Sequence, residues 1–201
     1  MTMVDAAPAT PAPDGRLGEQ PGEKPVEQPL GLPVWPAEPE PVDPRATGYL
    51  VAVCGADPRA EAVGAYWSAA ATRVAPTRLL ALPDGPVGAG RDLLVRALGE
   101  LRTGARVMVA GGRHDVLVAL AVCRAQGACP EELRSFAVDA HDGPVPLPVF
   151  CAHCRAVHAM TAEPGGTTTC PGCARELDVH PHHSAALGAF LASDARAREL
   201  A

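Results

Sequence analysis

The chain has 201 residues, 47% of them apolar but only 3% aromatic, and a net charge of −6, enough for one medium domain or two small ones. Its single lysine, Lys24, lies near the N-terminus, so the body has no Walker, Schiff-base or general-base lysine, and P-loop NTPases and lysine-dependent pyridoxal enzymes are excluded. No apolar run approaches the ~20 residues of a membrane span, and the opening "MTMVDAAPATPAPDG" lacks the basic start and apolar stretch of a secretory signal, so a cytoplasmic chain with reduced thiols and no membrane partner is expected.

Residues 1–47 hold eleven of the 22 prolines and eight acidic against three basic side chains. Such a segment has little apolar surface to bury, and its prolines remove backbone donors, so a disordered acidic tail is expected. Trp35, between Pro33 and Pro36, reads as a solvated ring in that tail, or as an anchor on the body or a partner. From Gly48 the pattern changes. "YLVAVCG" (Tyr49–Gly55) predicts a buried strand, and Arg59–Ala71 a helix. Thr77–Pro83 predicts a second strand. In Arg91–Arg102 the residues Leu93, Leu94, Ala97, Leu98 and Leu101 fall on one helical face. Ala105–Gly112 predicts a third strand, His114–Gly127 a third helix closed by its glycine, and Leu133–Asp139 a fourth strand. Near-continuous apolar strands alternating with helices predict a parallel sheet covered on both faces. "HDGPVPLP" (His141–Pro148) reads as a linker, and Ser184–Leu200 as a C-terminal helix with Ser184 as its N-cap.

The strongest chemical signal is Cys151-x-x-Cys154 followed by Cys170-x-x-Cys173, the spacing of a metal site. Two residues between thiolates let a tight turn aim both sulfurs at one ion. Four thiolates close a tetrahedral shell, the mark of a structural rather than a hydrolytic centre. So small a region has almost no core of its own, and metal binding is expected to supply much of its folding free energy. "CPGC" (Cys170–Cys173) is similar to a rubredoxin knuckle, which makes iron the alternative. The scarcity of aromatic residues nearby favours zinc. His153 and His158 could compete as ligands, but the four sulfurs suffice. His180, His182 and His183 read as polar surface at a turn, with a second metal or a partner's cofactor as the alternative. Cys54 and Cys123 read as buried apolar residues, and Cys129, before Pro130, as exposed. His114 and Asp115 read as first-turn residues without chemistry. No catalytic residue is assigned.

The whole reading is α/β: a disordered proline-rich tail over 1–47, a small Rossmann-like parallel-sheet domain over 48–142, and a four-cysteine zinc ribbon with a C-terminal helix over 148–195. Residues 48–201 carry fifteen acidic against fourteen basic side chains, no footprint for a polyanion, so no nucleic-acid partner is expected. None of the strand ends carries G-x-G-x-x-G. The segment Val107–Phe136 weakly resembles the last strand-helix-strand of ferredoxin reductase nucleotide domains, but Ala110-Gly111-Gly112 stands where that family has Cys-Gly-Pro.

Residues 148–192 resemble the DmmA-type subunit family of dimethylamine monooxygenase. The resemblance rests on Cys151, Cys154, Cys170, Cys173, Leu177, Val179, His183, Ser184 and Leu187. It departs from the family where Ser184, rather than a bulky aromatic residue, follows the histidine of the turn. The resemblance implies a non-catalytic subunit of a multicomponent amine oxygenase. Companion oxygenase and reductase subunits would carry the haem, the flavin and the iron–sulfur cluster. The competing readings are a nucleotide-dependent reductase, a rubredoxin-like electron-transfer subunit and a nucleic-acid-binding zinc ribbon.

Overall fold

A computed structural model describes residues 31–200. The first sheet is parallel throughout. It contains β1 (Tyr49–Cys54), β2 (Thr77–Leu82), β3 (Arg106–Gly111) and β4 (Leu133–Ala137) in the order β2-β1-β3-β4. Every residue of β1 is buried, because helices cover both faces of the sheet. Tyr49, Val51 and Val53 pack with Trp67 of α1 (Pro58–Thr72). Leu50, Ala52 and Cys54 pack with Leu94 of α2 (Gly88–Gly99) and Val116 of α3 (Arg113–Ala125). This is why the strands read as unbroken apolar runs rather than alternating ones. α1 starts where Asp57 accepts from the Arg59 N–H and Pro58 takes the first helical position.

The second sheet contains β5 (Pro146–Cys151), β6 (Ala156–Thr161), β7 (Thr167–Thr169), β8 (Glu176–Ser184) and β9 (Ala189–Asp194), in the order β6-β5-β9-β8-β7. All its pairings are antiparallel except β5 with β9. Leu147, Val149, Met160, Leu177, Val179 and Phe190 form its core, which Leu117 of α3 joins. α3 therefore packs between the two sheets. Pro146 and Pro148 are in β5 rather than in a linker. β9 pairs only with Val149–Cys151, which leaves these prolines a strand partner on one side, where a missing N–H is tolerated.

The structure corrects two larger expectations as well. Ser184–Leu200 is not a helix. It closes β8, turns at Gly188 (φ +63°), forms β9 and ends in a short 3-10 segment. The alanines and leucines of the stretch favour helix locally, but β5 and β8 both need a central partner, and filling that place outweighs propensity. The second correction concerns the tail. Residues 1–30 lie outside the described residues, while residues 31–47 are packed on the body. Trp35 is partly buried against both cores. The Trp67 Nε1–H donates to the Glu40 carbonyl at 2.9 Å, and Arg106 pairs with Asp43 at 2.9 Å. Tyr49 Oη donates to the Asp43 carbonyl, and the His183 N–H to the Gly31 carbonyl at 2.9 Å. The segment is a strap across both sheets, and Trp35 is its anchor. Among the described residues, no helix is long and apolar enough to cross a membrane.

Candidate metal centre

The four cysteines meet at one end of the second sheet because two hairpins end there. Cys151 and Cys154 form the tip between β5 and β6, where Cys151 is opposite Ala156. Cys170 and Cys173 form the tip between β7 and β8, closed by the Cys170 N–H donating to the Arg175 carbonyl at 2.8 Å. β9 is the strand between the hairpins: Cys151 aligns with its Ala192 and Leu177 with its Asp194. The unexpected strand thus sets the distance between the two thiol pairs.

Both tips repeat one geometry. The Arg155 N–H donates to the Cys151 carbonyl and the Ala174 N–H to the Cys170 carbonyl, each at 2.8 Å. The residue after each second cysteine is left-handed, Arg155 at φ 56° and Ala174 at φ 57°, a conformation that costs roughly 1–2 kcal/mol for a residue with a Cβ. Two non-glycine residues held there in matching positions indicate that the turns are fixed by what the thiols face rather than by local preference.

All four Sγ atoms lie within 4.8 Å of one another. The cross-hairpin separations are 3.8 Å for Cys151–Cys173 and 3.8 Å for Cys154–Cys170. A disulfide needs about 2.05 Å, and the cysteines are free. A tetrahedron with metal–sulfur bonds of about 2.3 Å has edges of about 3.8 Å. Those two separations match edges of such a tetrahedron, and the four thiols could hold one ion between them. Cys151 and Cys170 are buried, and Cys154 and Cys173 are half-buried. Burial opposes ionisation of Cys170, but the N–H groups of Gly172 and Cys173, with the neighbouring thiols, outweigh it and hold this thiol at about 7. Cys154 is pushed up to about 11, by burial first and then by the thiols of Cys151 and Cys170. Cys173 is also raised: the Arg175 N–H draws it down, and burial together with Cys170 and Cys151 outweighs that pull. A divalent ion between them would let all four ionise together. The donor set fits zinc, and it fits a single iron equally well.

The histidines are placed differently from the turn expected for them. His180, His182 and His183 are on β8, around a bulge between Val179 and His183. The His180 Nε2 meets Ser193 Oγ at 2.9 Å. His183 stands edge-on to Phe190 at 5.4 Å, and its Nε2 is buried without a hydrogen-bond partner. Burial and the Arg124 charge lower its pKa. Among the described residues, the four cysteines are the one group of three or more candidate ligands close enough to share an ion. Cys54 and Cys123 are buried, and burial pushes each up to about 12, as befits inert core thiols. Cys129 is exposed. His153 is exposed and outside the cluster. His158, a competing ligand by sequence, lies beside the four sulfurs rather than among them, its Nε2 3.4 Å from Cys154 Sγ.

At the first sheet, strand order reverses between β1 and β3, where a doubly wound sheet would receive a ligand. The Asp115 carboxylate occupies that place. A Cβ on Gly55 would stand 3.3 Å from one of its oxygens, and a Cβ on Gly85 2.9 Å from the other. His114 Nδ1 meets the same carboxylate at 3.0 Å. Sequence reasoning gave Asp115 no role, and nothing in its local pattern showed that it faces two glycine turns.

The chain is 34% identical over 113 residues to the heme-dependent oxidative N-demethylase delta subunit of Ectopseudomonas mendocina (strain ymp). The aligned region is 56% of this chain and 61% of that relative's length. No solved structure matches the chain. Residues 148–192, which hold all four cysteines, match the family described as dimethylamine monooxygenase subunit DmmA-like, C-terminal domain.

Proposed function

We propose that the chain is a small, non-catalytic, cytoplasmic subunit of a multicomponent haem-dependent amine monooxygenase of the dimethylamine type. In this reading zinc held by Cys151, Cys154, Cys170 and Cys173 shapes a ribbon over residues 148–195, and the ribbon joins the subunit to its companions. Residues 48–142 form a Rossmann-like body. The haem, the flavin and the iron–sulfur cluster are on companion oxygenase and reductase subunits. The observation that carries the proposal is the similarity to a delta subunit across 113 residues, which reaches well beyond the C-terminal block. The chemistry of the centre supports it: four thiolates fill a tetrahedral shell and leave no position for substrate.

A second reading, a rubredoxin-like iron centre carrying electrons, is favoured by one feature. The N–H groups of Gly172 and Cys173 point at Cys170 Sγ, and that of Arg175 at Cys173 Sγ. Donors to sulfur stabilise a reduced thiolate cluster. The reductase reading is weakened by Asp115, whose carboxylate would repel the phosphates of a nucleotide at the strand reversal. The nucleic-acid reading is weakened by acidic Glu163, Glu176 and Asp178 in the ribbon.

The test is purification of the full chain, tagged, from its native host, with elemental analysis and identification of every companion chain. The expected result is a stable complex containing a haem protein, and about one zinc per copy of this chain. A lone chain with bound flavin or nicotinamide would support the reductase. Iron with a ferric-thiolate absorption band would support electron transfer.

A further inference from the structure

His158 lies outside the four-sulfur shell yet touches both halves of it. It sits on β6 opposite Val149, and its Nε2 is 3.4 Å from Cys154 Sγ on the first hairpin tip. The same ring lies against the second tip, where a Cβ on Gly172 would come within 2.8 Å of both its Cε1 and its Nε2. One imidazole therefore spans the two tips, and the glycine of Cys170-Pro171-Gly172-Cys173 leaves room for it. Cys154 is one of the two half-buried thiols, and the ring nitrogen meets its sulfur.

With an ion bound, Cys154 is a thiolate and has no proton to donate. The nitrogen–sulfur contact then has to be N–H···S, with the hydrogen on Nε2. We infer that His158 is the hydrogen-bond donor that holds the metal-bound Cys154 thiolate in place and controls how fast metal leaves the centre. Four thiolates around a divalent ion carry excess negative charge, and a donor to one sulfur draws off part of it. Partners of this kind outside a metal shell typically change affinity 10- to 100-fold. The inference rests on the four-cysteine metal reading, and the experiment separates the two.

The full chain is loaded with cobalt(II), and its thiolate-to-cobalt charge-transfer bands are recorded. The zinc form is then mixed with a chromophoric chelator, and the rate of metal transfer is measured. The comparison covers the native chain, His158→Phe, His158→Gln, Gly172→Ala and the double variant His158→Phe/Gly172→Ala. Phenylalanine keeps the ring but not the donor. His158→Phe is expected to release zinc about 10- to 100-fold faster and to shift the charge-transfer band to lower energy. His158→Gln, which can still donate, is expected to recover part of both. Gly172→Ala, whose methyl displaces the ring, is expected to resemble His158→Phe and to add little to it in the double variant. If His158→Phe matches the native chain in rate and band, the inference is overturned while the metal reading stands. If the native chain shows no cobalt–thiolate bands, the metal reading falls and the inference falls with it.

Discussion

Trp35 is the residue at which the strap and the two sheets meet, so Trp35→Ala tests whether that junction is structural. A tryptophan buries about 150–250 Å² when fully covered. Trp35 is partly exposed, and about 120–150 Å² at about 25 cal/mol per Å² gives ~3–4 kcal/mol. A compact unfolded chain already hides some of that surface, which lowers the figure to about 2–3 kcal/mol. For a chain of this size, that is a fall in melting temperature of roughly 5–10 °C. The assay is thermal unfolding followed by circular dichroism and by the fluorescence of Trp67, the only other tryptophan. A fall below about 2 °C would refute the reasoning and return Trp35 to a solvated linker. Removing residues 1–47 entirely should cost at least as much as the point substitution, because it also deletes Asp43 and the Glu40 carbonyl that Trp67 binds.

Two further substitutions test how the elements are held. Gly188→Ala places a methyl 2.7 Å from the Leu117 carbonyl oxygen and 2.7 Å from Ala121 Cβ, at a φ of +63°, so a loss of about 2–4 kcal/mol in urea unfolding is expected; an unchanged midpoint would mean that the β8–β9 turn is not seated on α3. The pKa of Asp43 is lowered, first by the Arg45 N–H and then by Arg106. A carboxyl depressed on folding stabilises the fold above its ordinary value of about 4 and ceases to do so as pH falls through its folded value. The native chain should therefore lose more stability than Asp43→Asn between pH 5 and pH 3 (about one unit either side of that value), measured as the difference in urea midpoints; equal losses would show that Asp43 contributes nothing on folding.

The parallel sheet was legible because β1 and β3 are buried on both faces and therefore read as unbroken apolar runs. The clustering of the four cysteines was legible because Cys-x-x-Cys spacing is a local property of the backbone. What escaped the sequence depends on contacts between distant segments. β9 carries Ala189, Phe190, Leu191 and Ala192, residues as compatible with a helix as with a strand. Its state is decided by the gap between β5 and β8, which local sequence does not reveal. The strap was hidden by its own composition. Its prolines and acids give no amphipathic pattern, and its docking depends on a few points: Trp35, the Glu40 carbonyl and Asp43. The pairing of His158 with Cys154 and Gly172 follows from the β5–β6 register, so spacing alone could suggest a competing ligand but not a donor beside the shell.

The most direct test of the proposed role separates assembly from turnover. Cys170→Ser leaves three thiolates, opens the shell and loosens both hairpin tips, while the first sheet keeps its own cores. The variant and native chains are each combined with the companion subunits, and complex formation and amine demethylation are measured on the same samples. A centre that serves assembly predicts weak binding by the variant, with activity lost in proportion to the complex lost. A variant that assembles at full affinity and yields an inactive complex would contradict it and place the metal centre in electron transfer or in the chemistry itself.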